Sequence, residues 1–536
     1  MKKLLLTLSA LVVFAVSCSE DVFNVPNENA YSDATYFASA AQFNEALTAT
    51  YSTLLHTGMY SRDWYFTFDL LGNDAERDAP LLGDLAELHN FSYNSANPIL
   101  YNLWRSLYRV VLRANLVITR AGEWEPELDS DAVQRDRFIA EASFLKAFAE
   151  GYLVANWGRV PLYPTYDDHF LAEVPRASSI EEAWSAAEAS LLRAIDGLPE
   201  TAEAGRATKG AAIALLGRFY MYQGKYNEAI TQLEKLTQAP YSYALLDNFD
   251  DLFAPTTGAN SESIFFIPHG EWQGWGVGNA FYMFGGQETW GGRATHTGRA
   301  MEYGWNDWRN VKVNASLVDA YTYADESGAD YTDPRAALTF YGDVDSGGDT
   351  DFCHGCEGTV IDPAPAYFVA DADGVGPYMY PFGENDNGYR WRKYNLYEYE
   401  EKHSLPQSPI NSQVIRYADV LLMLAEAYIE TGSTGQALDL INAVRARSGA
   451  FEYGSLGDQS SAREIVRRER RLELAGEQLR WFDLNRWGVA KEVINAEKQR
   501  ELGNQPFEDK HELLPIPQRE KDLNPGVAGD VANDWN

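Results

Sequence analysis

Apolar residues recur at intervals of three and four through Phe138, Ala142, Leu145, Ala149 and Tyr152. That period predicts an amphipathic helix over 137–153 with one face turned to a core, closed by Gly158 and Pro161. Most of the first 250 residues carry the same period. Two segments also share a longer pattern. Leu216, Gly217, Tyr220, Gly224, Tyr226, Ala229 and Leu233 fall at tetratricopeptide spacing, and Leu424, Ala425, Tyr428, Gly432, Ala437, Ile441 and Val444 at nearly the same offsets. Both predict helical hairpins: small residues let the paired helices approach, and the glycines permit the turn. Between about Thr256 and Ser408 the helical period fades and half of the 42 glycines appear, with turn signals such as Asp333-Pro334 and Asp373-Gly374. The expected fold is therefore mainly α, a scaffold of tetratricopeptide-like hairpins carrying a loop-rich ligand-binding lobe with short strands. An N-terminal helical region (18–255), an insert (256–408) and a C-terminal helical region (409–536) follow a leader, with helix resuming from Val414 to about Trp487.

The leader is 1–17. Lys2 and Lys3 precede an apolar run, Leu4 to Val16, that is too short for the ~20 residues a spanning helix needs. Ala15-Val16-Ser17-Cys18 looks like a lipobox, in which Cys18 becomes the lipidated first residue after cleavage. No later segment holds 18 uninterrupted apolar residues, so the mature chain is expected to be anchored to a membrane rather than to span it. Cys353 and Cys356 are then an even pair in an oxidising compartment. Haem attachment fails because position 357 is Glu357 rather than His, and a zinc site using Cys353, His354 and Cys356 lacks a fourth ligand. A small structural disulfide is the favoured alternative.

Over 536 residues the net charge is -34, which argues against nucleic-acid binding and against polyanionic ligands. No His-Glu-x-x-His, Gly-x-Ser-x-Gly, Walker A or dinucleotide fingerprint occurs, so an enzyme is unsupported. Asp343, Asp345, Asp349 and Asp351 form an oxygen-rich loop of the kind that suits Ca²⁺. Gly347 and His354 depart from an EF-hand there, and a solvated acidic turn competes with the metal site. From Arg467 to Glu473 and on through Glu477, Arg480, Asp483 and Arg486, opposite charges recur three and four apart. That spacing predicts an exposed helix laced with ion pairs worth ~0.2–0.5 kcal/mol each, in preference to an anion site. The aromatic signal is sharper: Trp272, Trp275, Trp290, Trp305 and Trp308 gather in the insert. Indole rings bury the flat C–H faces of sugars, and Asn306 and Asp307 could reach the hydroxyls.

The chain resembles the SusD/RagB family of outer-membrane glycan-binding lipoproteins. The N-terminal motifs are Trp104-Arg-Ser-Leu-Tyr108, Arg113-Ala-Asn115, Ala140-Glu-Ala-Ser-Phe-Leu145, Trp157-Gly-Arg-Val-Pro-Leu162 and Gly205-Arg-Ala-Thr-Lys209. The C-terminal ones are Asp333-Pro-Arg335, Arg392-Lys-Tyr394, Arg416-Tyr-Ala-Asp419, Asn442-Ala-Val-Arg-Ala-Arg447, Glu469-Arg-Arg-Leu-Glu473, Arg480-Trp-Phe-Asp-Leu-Asn-Arg486 and Leu514-Pro-Ile-Pro517. The resemblance implies four tetratricopeptide-like hairpins beneath an irregular binding lobe. It also implies a lipid-anchored, non-catalytic protein on the cell exterior that brings oligosaccharide to a SusC-like TonB-dependent transporter, with no required cofactor and calcium as a structural addition in some members. Further contacts are expected from Trp64 and from Asn90 and Tyr93. A neutral glucan is preferred because the net charge of -34 repels acidic chains. The alternatives are a helical-repeat protein-binding adaptor and a glycoside hydrolase.

Overall fold

The computed structural model describes residues 36–77, 83–254, 258–269, 299–303, 311–341, 389–394, 410–498 and 505–528. Its α-helices are α1 Ala40–Ser52, α2 Asp63–Leu71, α3 Gly83–His89, α4 Pro98–Glu123, α5 Asp129–Trp157, α6 Ile180–Gly197, α7 Lys209–Tyr222, α8 Tyr226–Leu233, α9 Arg299–Tyr303, α10 Ala315–Ala320, α11 Arg335–Thr339, α12 Tyr417–Glu430, α13 Thr434–Arg447, α14 Gln459–Leu474, α15 Arg480–Arg486, α16 Ala490–Lys498, α17 Gln518–Leu523 and α18 Pro525–Ala528. Several begin where polar side chains satisfy the first free N–H groups. Asn97 Oδ1 accepts from Ile99 and Leu100 ahead of Pro98, and Ser179, Thr208 and Asp458 cap α6, α7 and α14.

Helix α5 departs from the one-faced expectation. Phe138, Ala142, Leu145, Ala149 and Tyr152 are all buried, but so are Ala140, Phe144, Phe148 and Val154 on its other sides. It packs between α4 and α6, and a helix with two flanking partners is covered all round. Its polar members survive burial by pairing: Glu141 accepts from Tyr51 at 2.8 Å, and Lys146 donates to the Tyr163 and Pro164 carbonyls. Gly158, at φ +67°, closes the helix.

The two repeat-like segments are helical hairpins, α7–α8 and α12–α13, and α8 packs on α12. Gly224 and Gly432 turn them at φ +67° and +84°. Gly217 is required for contact: a Cβ there would lie 2.4 Å from Leu233 Cδ2. Ala229, Ala425 and Ala437 are fully buried in the same seams.

The described strands form four antiparallel two-stranded ribbons. β1 Ala75–Arg77 pairs with β3 Val311–Val313, and β2 Ser263–Ile267 with β8 Ser412–Arg416. β4 Thr322–Ala324 pairs with β5 Asp330–Thr332, and β6 Phe340–Tyr341 with β7 Arg390–Trp391. Val414 therefore lies in a strand, and helix resumes only at Tyr417. The β-branched and apolar run Val414-Ile415 favours the extended ladder offered by β2.

Candidate functional site

The insert's tryptophans Trp272, Trp275, Trp290, Trp305 and Trp308, with Asn306 and Asp307, lie outside the described residues. So do Asp343, Asp345, Asp349, Asp351, Cys353, Cys356 and Cys18. Among the described residues no group of three His, Cys, Asp or Glu side chains could hold a metal ion, and no helix is long and apolar enough to cross a membrane.

Of the remaining three candidates, Trp64 and Tyr93 lie in the core. Trp64 is 2% exposed, stacked on Tyr60 with centroids 5.0 Å apart and edge-on to Tyr152 at 5.0 Å. Tyr93 is also 2% exposed, packed beside Phe91 and His511, and burial pushes its hydroxyl well above the usual tyrosine range. Neither ring offers a face for stacking, because each fills the apolar space between helices. Asn90, half-buried, ends α3 by donating its N–H to the Ala86 carbonyl at 2.9 Å.

What the described residues do present is the frame from which the insert's segments spring. Residues 270–298 join His269, whose N–H donates to Asn411 Oδ1 at 3.1 Å beside β8, to Arg299 at the start of α9. Residues 304–310 join Tyr303 to β3, and 342–388 join β6 to its own partner β7. Residues 395–409 join Tyr394 to Ile410, which share a small apolar cluster with Phe249, Leu252 and Phe253. These anchors touch one another. The Arg299 guanidinium lies 3.7 Å from the Tyr394 ring centroid, and the Tyr303 and Trp391 rings are 5.9 Å apart.

Beneath the frame, the charged run of α14 is not exposed. Arg335, Lys393, Arg416, Arg445 and Arg447 interlock with Glu262, Asp333, Glu469, Glu473 and Glu477, five cations against five carboxylates. A second group sets Arg218, Arg470 and Arg486 against Asp419, Glu426 and Asp483. A third sets Arg471 and Arg480 against Asp74 and Glu497. In the first two groups no side chain exceeds 6% exposure, so equal numbers of each sign are what make burial tolerable. Burial alone would raise the Glu473 carboxyl, but Arg447, Arg416 and Arg335 hold it well below the usual range. Burial draws Lys393 down to about 8 against the pull of Glu477. A crevice beside Arg470, Arg471, Arg480 and Trp487 offers no anion site, since its guanidiniums are committed to Asp74, Asp483 and Glu497.

Two family models match the chain. One, described as the SusD family, covers residues 374–529, and the other, described as starch-binding associating with outer membrane, covers residues 26–221. The chain belongs to the SusD-like family. It is 25% identical to a SusD-like protein of Bacteroides ovatus over 91% of this chain and 83% of that one. It is likewise 25% identical to SusD-like protein P25 of Formosa agariphila, over 96% and 95%. A solved SusD superfamily protein of Bacteroides vulgatus superposes with a TM-score of 0.73 at 24% identity, over 92% of this chain and 99% of that one. A laminarin-binding SusD-like protein does so with a TM-score of 0.69 at 26% identity, over 91% and 98%.

The motifs of the SusD-like resemblance acquire a physical meaning in this frame. Asp333 and Arg335, Lys393, Arg416 and Asp419, Arg445 and Arg447, Glu469, Arg470 and Glu473, and Asp483 and Arg486 all belong to the first two buried ion groups, which Glu262, Glu477, Arg218 and Glu426 complete. The pattern of opposite charges three and four apart did not separate them from an exposed helix. The signal that could have done so is the interleaving of these charges with Leu472, Leu474 and Leu479, which leaves too little polar face for solvent.

Proposed function

We propose that this chain is a non-catalytic, lipid-anchored protein of the outer-membrane surface that captures an oligo- or polysaccharide and passes it to a SusC-like TonB-dependent transporter. The observation that carries it is that SusD-like models match both ends of the chain, while the tryptophan-bearing segments between them spring from one braced frame. Aromatic side chains on segments anchored at both ends to a scaffold suit the flat apolar faces of sugars. Capture and transfer need no cofactor.

A neutral glucan is the favoured ligand. The net charge of -34 opposes acidic polysaccharides, and a laminarin-binding relative shares the fold. The deciding experiment is a binding screen of the mature soluble chain against laminarin, starch, xylan and alginate, followed by calorimetry on Trp272→Ala, Trp275→Ala, Trp290→Ala, Trp305→Ala and Trp308→Ala. A ring at the site should cost ~2 kcal/mol or more, roughly thirtyfold in affinity. If all five variants bind normally while melting lower, the site lies elsewhere. Turnover of any glycan in the screen would favour a hydrolase.

A further inference from the structure

Helix α9 has five residues, too few to hold itself together, and is the described element between 270–298 and 304–310. Both of its ends are tied to one oxygen. Asp69 Oδ2, on α2, accepts from Arg299 Nη2 at 3.0 Å and from the Tyr303 hydroxyl at 2.8 Å. Gln478 Nε2 donates to the same oxygen at 2.9 Å, and Glu302, between the two ends, accepts from Arg62 Nε at 2.8 Å. The surroundings are built to tight tolerance. Of the four non-glycine residues with positive φ among those described, two stand here, Tyr394 at +64° and Gln478 at +62°. A Cβ on Gly476, whose carbonyl accepts from both Arg299 and Gln478, would come within 2.7 Å of Trp391 Cζ3. Backbone strain persists where the surroundings over-determine it, and it gathers at sites that hold a binding geometry.

We propose that Asp69 is a positioning residue for ligand capture: by clamping Arg299 and Tyr303 it fixes α9, and with it the ends of the two tryptophan-bearing segments. This rests on the glycan-binding role proposed above. One carboxylate oxygen receiving three donors is a stronger constraint than separate pairs, because displacing α9 at either end breaks a charge-assisted or hydroxyl bond at a desolvated centre.

Tyr303→Phe removes one donor and leaves the ring in place. The matched control is Tyr323→Phe, whose hydroxyl donates to Asp333 Oδ2 at 2.8 Å beside Arg335 and Arg445. Tyr303→Phe should speed amide exchange at 299–303 and weaken laminarin binding by calorimetry about tenfold, the scale of one lost hydrogen bond at a buried charge. Tyr323→Phe should lower the melting temperature and do neither. Asp69→Asn should exceed Tyr303→Phe in both readouts. Equal losses of affinity in Tyr303→Phe and Tyr323→Phe at equal melting temperature, or unchanged exchange at 299–303, would overturn the clamp. If the unmodified chain fails to bind laminarin, the glucan assignment falls by itself, and the ligand-free exchange comparison still decides whether Asp69 fixes α9.

Discussion

Asp63 opens α2 with its carboxyl almost fully buried, accepting from Asn102 Nδ2 at 3.1 Å while the Arg62 guanidinium stays 3.7 Å away. Burial outweighs Arg62 and raises its pKa from 3.8 to about 6. Between those values the folded state holds more protons than the unfolded chain, so stability falls as pH rises through the window and the full penalty stands above about 6. Asp63→Asn cannot ionise. Its melting temperature relative to the unmodified protein should therefore improve between pH 4.5 and pH 7, and a constant difference would sink the assignment. His511 has the opposite sign. Its Nδ1 accepts from the Glu508 N–H at 2.8 Å, and burial, reinforced by Lys510, depresses it from 6.5 to about 4. Its contribution to stability is intact at neutral pH and is lost as pH falls from 6.5 toward about 4. Its NMR ring shifts should remain those of neutral imidazole at pH 5.

At the level of elements, the hairpins and the ion groups do different work. Hairpin α7–α8 depends on contact distance. Gly217→Val should destabilise by about 2 kcal/mol, since overpacking typically costs 1–3 and the gain in helix propensity is under 1. Thermal or urea unfolding would register it, and an unchanged midpoint would mean that Leu233 can move aside. Glu473 is held by Arg335, Arg416 and Arg447 from three different elements. Glu473→Gln should cost about 3–5 kcal/mol at pH 7, because three guanidiniums lose the centre of their countercharge. The carboxyl's folded pKa lies below its unfolded value of 4.5, so this contribution is present above 4.5 and is lost as pH falls further. Urea midpoints at pH 7 and pH 3.5 should accordingly converge between variant and parent. The α14 run had suggested weak surface pairs. Burial makes the same residues structural, since removing either partner strands a charge away from water.

For the whole molecule, the proposed lipid attachment at Cys18 rests on the short apolar run and small residues before it. Cys18→Ala should move the protein from the membrane to the soluble fraction in cells lacking the proposed partner transporter; retention there would count against the anchor. The helical scaffold was legible in the sequence because each signal is local: the period through Phe138 and Tyr152, the glycines at the hairpin turns, and the small residues at Gly217 and Ala437 act over one or two helical turns. The burial of Trp64 and Tyr93 was not legible, because an aromatic ring has the same identity on a surface and in a core. Nor was the strand at Val414, whose partner β2 lies about 150 residues earlier. The ion groups were the least legible of all. Charges from Glu262, Asp333, Lys393, Arg416, Arg445 and Glu473 balance only when six separate stretches meet. The sequence by itself determined the helical hairpins, the family and the composition of the insert. Tertiary structure alone decided which charges and rings leave water, because desolvation depends on every neighbour in space and not on the neighbours in the chain.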